Sequence, residues 1–295
     1  MSSFEMLVQV MVSGLMVGFI YGLAALGFTI VYNATQIVNF ANGEFLMIGG
    51  MIVAVLAQST LDLPIYLSVL VAVGATAILG YLTQTVIINN TKSRDPMTLV
   101  MLTIGLAVAL RGLVSFLFGR DVKFVPDFGV FDVILIGNIY IPSQAIWVFL
   151  TFIAVTLGIW FLFNRTLIGK AMQAVSLDPR AAALCGINPG NLAAMSFALA
   201  AGIGALAGAV SAPIQPVFYE NGVFLGLKGF AAAVAGGFGN PAGAILGGLI
   251  IGLVESLAAG YGASGYKDAI AFVLLILILL VRPAGLIGKA HVNRV

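Results

Sequence analysis

The chain has 295 residues, 61% of them hydrophobic and only 8% charged, with a net charge of +2 and a mean hydropathy of +1.13. Soluble domains carry roughly 25% charged residues, so this composition excludes a water-soluble globular enzyme, and the small net charge points to no nucleic-acid partner. One cysteine, Cys185, and one histidine, His291, exclude an internal disulfide, a metal centre built from several His or Cys ligands, and a catalytic triad that needs a His.

A helix needs about 20 apolar residues to cross about 30 Å of hydrocarbon. Apolar runs occupy 8–32, 45–57, 63–88, 97–118, 145–163, 192–212, 229–259 and 269–281. They predict an all-α, polytopic transmembrane helical bundle of about eight to nine membrane segments, forming a single transmembrane domain over 1–295. A β-barrel would show short alternating segments instead. No basic residue precedes the first run, so it is expected to be a span rather than a removable signal peptide. The 36 glycines suit close helix packing in lipid, and 202–208, Gly-Ile-Gly-Ala-Leu-Ala-Gly, reads as such a packing face.

Between the first two runs, 32–44 reads Tyr-Asn-Ala-Thr-Gln-Ile-Val-Asn-Phe-Ala-Asn-Gly-Glu. Asn39, Asn42 and Glu44 are candidates for lining a solute pathway. Amides can donate and accept without trapping a charge, which suits a zwitterion. An acid at membrane depth is costly and hence a functional candidate. The alternative is that Glu44 sits at the interface as a first-turn acid, complementing the dipole of the second helix. Arg111 is about two turns from the outer end of its run and is expected to snorkel outward.

Lys and Arg near span ends mark the cytoplasmic side. Lys92 and Arg94, then Arg165, Lys170 and Arg180, then Arg282, Lys289 and Arg294 share one side if the N-terminus is outside. The 119–142 loop then lies outside, with Arg120 and Lys123 outnumbered by Asp121, Asp127 and Asp132. Eight simple crossings would put the basic tail outside. The seventh run resolves this, because 236–243 reads Gly-Gly-Phe-Gly-Asn-Pro-Ala-Gly. Gly236, Gly237, Gly239, Asn240 and Pro241 predict a broken helix, 228–235 and 241–259, folding back on itself. Irregular backbone at membrane depth must be buried in protein or line a cavity, and such breaks often build transport sites. Near its end, Glu255 is expected to pair with Lys267 or Lys228.

Residues 164–190 form the longest segment on the basic side. Asp178 followed by Pro179 is a helix start, and Gly186 is placed to end the helix. So short a helix is not stable alone, and an exposed, ordered one is expected to dock into a partner. Cys185 is expected to pack within it.

Arg180-Ala181-Ala182-x-x-x-Gly186 resembles the Glu-Ala-Ala-x-x-x-Gly signature of ABC importer permeases, with Arg180 in place of Glu. The stretches 169–188, 39–44, 228–249 and 266–268 resemble one subfamily, the branched-chain amino acid permeases, and within it the LivH-like subunit. Asn42 stands where the usual motif has His. The resemblance runs along essentially the whole chain. It implies a permease of the bacterial inner membrane, with 178–186 as the coupling helix that fits a groove in an ATPase. It further implies two ATPase subunits, a second homologous permease or a second copy of this chain, and a periplasmic substrate-binding protein. ATP and Mg would be used by the partners. Gly169-Lys170 and Gly288-Lys289 are each followed by Ala, so neither is a P-loop, and this chain is expected to bind no cofactor and catalyse nothing.

The expected cargo is branched-chain or other neutral amino acids, moved by alternating access. Urea-like amides or small aromatic acids are alternatives within such permeases. An ion-coupled secondary transporter using Glu44 is a further alternative. A carrier of that kind often shows two repeated halves, and the only echo is between Asn39-Phe40-Ala41 and Gly229-Phe230-Ala231. A membrane scaffold without transport would need no broken helix.

Overall fold

A computed structural model describes residues 3–58, 63–91, 95–129, 134–136 and 139–288. Lys92, Arg94, Asp132, Lys289, His291 and Arg294 lie outside the described residues. The described elements are α1 (Ser3–Thr35), α2 (Asn42–Ala57), α3 (Ile65–Leu82), α4 (Pro96–Phe118), α5 (Ser143–Arg165), α6 (Leu167–Leu177), α7 (Pro179–Leu184), α8 (Pro189–Ser211), α9 (Asn221–Gly236), α10 (Pro241–Ala258) and α11 (Lys267–Val281). Seven helical segments are long and apolar enough to cross a membrane, while α2, α6 and α9 are shorter. The architecture is all-α as expected, with one short hairpin, β1 (Ile134–Ile136) with β2 (Ile139–Ile141), in the connection between α4 and α5. Gln9 of α1 clamps it, donating from Nε2 to the Tyr140 carbonyl and accepting from the Tyr140 N–H, each at 2.8 Å.

Four helices begin in the same way. Asp95, Asp178, Asn188 and Asn240 each cap the N–H groups of the next turn with a side-chain oxygen, and a proline follows each. The oxygen satisfies donors that have no partner inside the helix, and the proline's missing N–H costs nothing at the first position.

The centre of the bundle is α1. Every residue from Ile20 to Val31 is buried, the pattern of a helix apolar all round and enclosed by others. Small residues allow the enclosure. Gly14, Gly18 and Gly22, one turn apart, meet α10 at Gly248 and Gly252, where a Cβ on either α10 glycine would overlap the α1 backbone. The predicted face at 202–208 also packs closely. Gly208 lies on the Leu46 backbone, and Gly204 lies on Leu46 and Phe45 of α2. By contrast α3, α4, α5 and α11 form the periphery, with large apolar side chains such as Leu70, Phe116, Phe161 and Leu280 exposed. Trp147 of α5 packs with Tyr66 and Phe128, whereas Trp160 is exposed.

The seventh run is two helices. Gly237 and Gly239 take φ of +110° and +89°, a region that L side chains rarely adopt, and α10 restarts at the Asn240 cap. The two helices pack as a hairpin: Gly236 sits on the Gly243 backbone and Gly247 on the Ala232 carbonyl. Its first arm starts at Asn221, seven residues earlier than the expected 228. Apolar patterning hides this, because Asn221-Gly222 reads as loop but opens a helix. The Leu286 and Ile287 N–H groups donate to the carbonyls of Ala235 and Gly236 at 2.9 and 3.0 Å. The tail therefore sits at the same end as the α9–α10 turn and the basic segment between α5 and α8.

Candidate functional site

After α1 ends at Thr35, the chain does not simply turn in water. It runs back along α1 in a non-helical stretch, 36–41, and starts α2 opposite Ala24 and Gly27. Asn39, Ala41 and Asn42 are fully buried. Asn39 Oδ1 accepts from the Ala41 N–H at 3.1 Å and shapes the turn. Asn42 Nδ2 donates to the Ala24 carbonyl at 3.2 Å, with Gly27 leaving room for its amide. The Phe40 N–H donates to Thr103 Oγ1 of α4 at 3.2 Å. Phe40 and Phe230, the equivalent positions of the two echoed tripeptides, touch with ring centroids 5.3 Å apart.

Glu44 lies in the first turn of α2 and is 2% exposed. Its Oε1 accepts from Arg111 Nη2 at 2.7 Å. The expected outward snorkelling of Arg111 is thus overturned: the side chain turns inward to α2, because a buried carboxylate needs a cation more than the guanidinium needs water. Glu44 Oε2 and Arg111 Nε, both buried, find no hydrogen-bond partner in the protein. The pair lines a cavity of about 140 Å³ with Phe28, Phe40, Ile104 and Val108. Asn39 and Asn42 do not line it. The sequence singles out Arg111 only as a snorkelling residue and not as the partner of Glu44. The available signal was an arginine placed 15 residues inside an apolar helix starting at Pro96, a long way from the basic end.

A second buried charged group joins four helices. Lys228 Nζ of α9 donates to Glu255 Oε1 of α10 at 2.7 Å, to Tyr21 Oη of α1 at 3.0 Å and to Asp268 Oδ1 at the start of α11 at 2.6 Å. Tyr21 Oη donates in turn to Glu255 Oε2 at 3.0 Å. Lys228, rather than Lys267, is therefore the partner of Glu255, and Asp268 is an additional acid. Outside the bundle, at the segment leading into α9, a hydrogen bond to Glu220 raises the Tyr219 phenol above its usual pKa.

At the basic end, the segment between α5 and α8 holds two helices, α6 and α7, of which only the second was expected. The missed helix is capped by Thr166, whose Oγ1 accepts from the Gly169 N–H at 3.1 Å. Asp178 Oδ1 accepts from the N–H groups of Arg180 and Ala181 at 2.8 and 3.1 Å, and Pro179 opens α7. Gly186, at φ +82°, ends it. Ala182 packs against Met172, Val175 and Leu192, while Arg180, Ala181, Leu184 and Cys185 are exposed. Cys185 closes the helix as its C-cap and is free at the surface, not packed. Nearby, a cavity of about 370 Å³ between α1, α5, α6 and α10 is lined by Asn33, Asn164, Gln173 and Asn240 among apolar residues.

These features define a multi-pass helical membrane protein with buried polar and charged groups inside the bundle and an ordered segment projecting from one end. Among the described residues, no group of His, Cys, Asp and Glu is placed to hold a metal ion. The model of the family "branched-chain amino acid transport system / permease component" matches residues 10–279, and the chain belongs to that family. As a permease component it is a transport protein and not an enzyme. It is 34% identical to the high-affinity branched-chain amino acid transport permease LivH of Escherichia coli K12, with 97% of each chain covered. It is 33% identical to the permease BraD of Pseudomonas aeruginosa, again over 97% of each. Among solved structures, PsaBC of Streptococcus pneumoniae in complex with Fab shares the fold, with a TM-score of 0.51, 16% identity, and 92% of this chain and 91% of that chain covered.

Proposed function

We propose that this chain is a permease subunit of an ATP-driven importer that carries branched-chain amino acids into the cytoplasm by alternating access. The observation that carries the reading is the end-to-end likeness to two permeases named for that cargo, over 97% of the chain. The whole of 1–295 acts as one permease domain. Its segment 164–190 receives the ATPase, with Asp178, Pro179, Arg180, Ala181, Ala182 and Gly186 forming the coupling helix. Its exposed Arg180 and Leu184 suit a docking surface. Two ATPase subunits, a second permease of the same family or a second copy of this chain, and a periplasmic binding protein complete the transporter. The break at Gly236, Gly237, Gly239, Asn240 and Pro241 is the hinge between the arms of the α9–α10 hairpin. Asn39, Asn42 and Glu44 form the polar element of the pathway, with the two amides holding the turn that presents Glu44.

The test is reconstitution. The purified chain alone in liposomes shows neither ATP hydrolysis nor uphill uptake. With its ATPases, partner permease and binding protein it accumulates leucine, isoleucine and valine when ATP is supplied. Uphill uptake by the chain alone, or accumulation of another solute class in place of these, overturns the reading.

A further inference from the structure

We infer that the Glu44–Arg111 pair is a zwitterion-recognition site, in which the cargo's α-ammonium reaches Glu44, its α-carboxylate reaches Arg111 and its aliphatic side chain occupies the adjoining apolar cavity. This rests on the amino-acid carrier reading above and names the residues that receive the cargo within the membrane.

Three observations meet at one place. Glu44 is buried inside an apolar bundle, where an unpaired charge is costly, and the half-buried Arg111 meets it with good geometry, at 2.7 Å between Glu44 Oε1 and Arg111 Nη2. A pair serving packing alone would have its remaining polar atoms satisfied, since buried polar groups are almost always hydrogen-bonded. Here one atom of each sign is left over, Glu44 Oε2 and Arg111 Nε. The leftover acceptor fits an ammonium and the leftover donor fits a carboxylate. An amine or an acid alone would satisfy one of them and leave the other buried and unpaired.

The same cavity supplies the apolar half. Phe28, Phe40, Ile104, Ala107, Val108, Val223 and Leu227 line it, and Gly222 and Gly226 form its floor. A Cβ on Gly222 would strike the Glu44 carboxylate, so only glycine lets α9 pack this closely beside Oε2. At about 140 Å³ the cavity is smaller than the roughly 300 Å³ at which drug-sized pockets begin, and it suits one small solute. With an ion pair already in place, the site offers the zwitterion shared rather than dedicated charges. It therefore binds weakly and releases readily, as a transit site must.

The experiment uses the assembled permease–ATPase complex in lipid nanodiscs, without binding protein, and saturation-transfer NMR with millimolar L-leucine. Isoamylamine, which lacks the carboxylate, and 4-methylpentanoate, which lacks the ammonium, serve as competitors. The expected result is saturable leucine binding that each competitor displaces at least tenfold more weakly than valine does. Glu44→Gln and Arg111→Gln each weaken leucine binding at least tenfold. Val108→Trp crowds the cavity from an exposed position while leaving both charges of the pair in place, and removes binding; co-elution with the ATPases checks that each variant is assembled. Leucine binding unchanged in an assembled V108W complex overturns the site, as does displacement by the amine or the acid as effective as by valine. If the complete wild-type transporter imports leucine but these variants bind and import it unaltered, the site falls and the carrier reading stands. If the complete transporter imports no amino acid, both fall.

Discussion

Lys228 of α9 and Glu255 of α10 form a buried ion pair at 2.7 Å across the two arms of the helical hairpin. Tyr21 and Asp268 complete it from α1 and α11. One lysine thus ties four helices together from inside the bundle. Lys228→Met leaves Glu255 buried without its cation. Breaking such a pair costs about 3–5 kcal/mol, to be seen as a clear fall in thermal unfolding temperature in detergent. The double variant Lys228→Met with Glu255→Leu regains most of that loss, because no charge remains buried. A double variant as unstable as the single one would contradict the ion-pair account.

Asp178→Ala removes the acceptor shared by the Arg180 and Ala181 N–H groups. Loss of an N-cap costs about 1 kcal/mol, which is large for a helix of 6 residues. The expected outcome is several-fold weaker co-purification with the ATPases, with membrane insertion intact. Gly186→Pro is more severe, because proline cannot take the φ of +82° found there. That variant, or deletion of 178–186, abolishes ATPase association. Unchanged co-purification of all three removes the coupling assignment.

Gly248→Leu drives a side chain into the α1 backbone at Gly22. Overpacking of this kind typically costs 1–3 kcal/mol or more, and here it separates the two most intimately packed helices. Gly105→Leu on α4, where an added Cβ meets nothing within 4 Å, is expected to leave stability within about 0.5 kcal/mol of wild type or raise it, since glycine is a poor helix former. The paired thermal measurement separates close packing from a general intolerance of larger residues.

Gly237→Ala forces a Cβ onto a backbone at φ +110° and against Gly288. The strain is about 1–3 kcal/mol and falls on the α9–α10 turn and the tail it anchors. Uptake by the reconstituted transporter is expected to fall while the solute preference stays the same. A changed preference would move the determinant of cargo choice to this turn.

Local chemistry was readable from the chain. Asp178-Pro179 and Asn240-Pro241 start helices because the cap and the proline act within one turn, and the glycines at 236–239 break one because backbone freedom is a property of the residue. Pairings across the bundle were not readable in this way. Glu44 and Arg111 are 67 positions apart, and nothing local distinguishes an arginine that reaches outward from one that reaches inward. The same holds for Asp268, which looks like a first-turn acid of α11 and also serves Lys228. The helix α6 escaped notice because Leu-Ile-Gly-Lys-Ala-Met-Gln reads as a boundary between a span and a loop. Asn39, Asn42 and Glu44 were singled out together for their polarity, but the structure separates two amides that hold a turn from one acid that lines a cavity.

The all-round burial of α1 from Ile20 to Val31 has a bearing on biogenesis. This helix leaves the ribosome before the rest of the bundle, yet the helix that covers it most closely, α10, is made some 200 residues later. At about 5–20 residues per second, the stretch between Thr35 and Pro241 takes roughly ten to forty seconds to synthesise. During that time α1 must wait in lipid or beside the insertion machinery with its permanent neighbours still unmade. A surface that is apolar on every side tolerates the wait, and its glycine stripe becomes useful only when the late-arriving hairpin inserts against it.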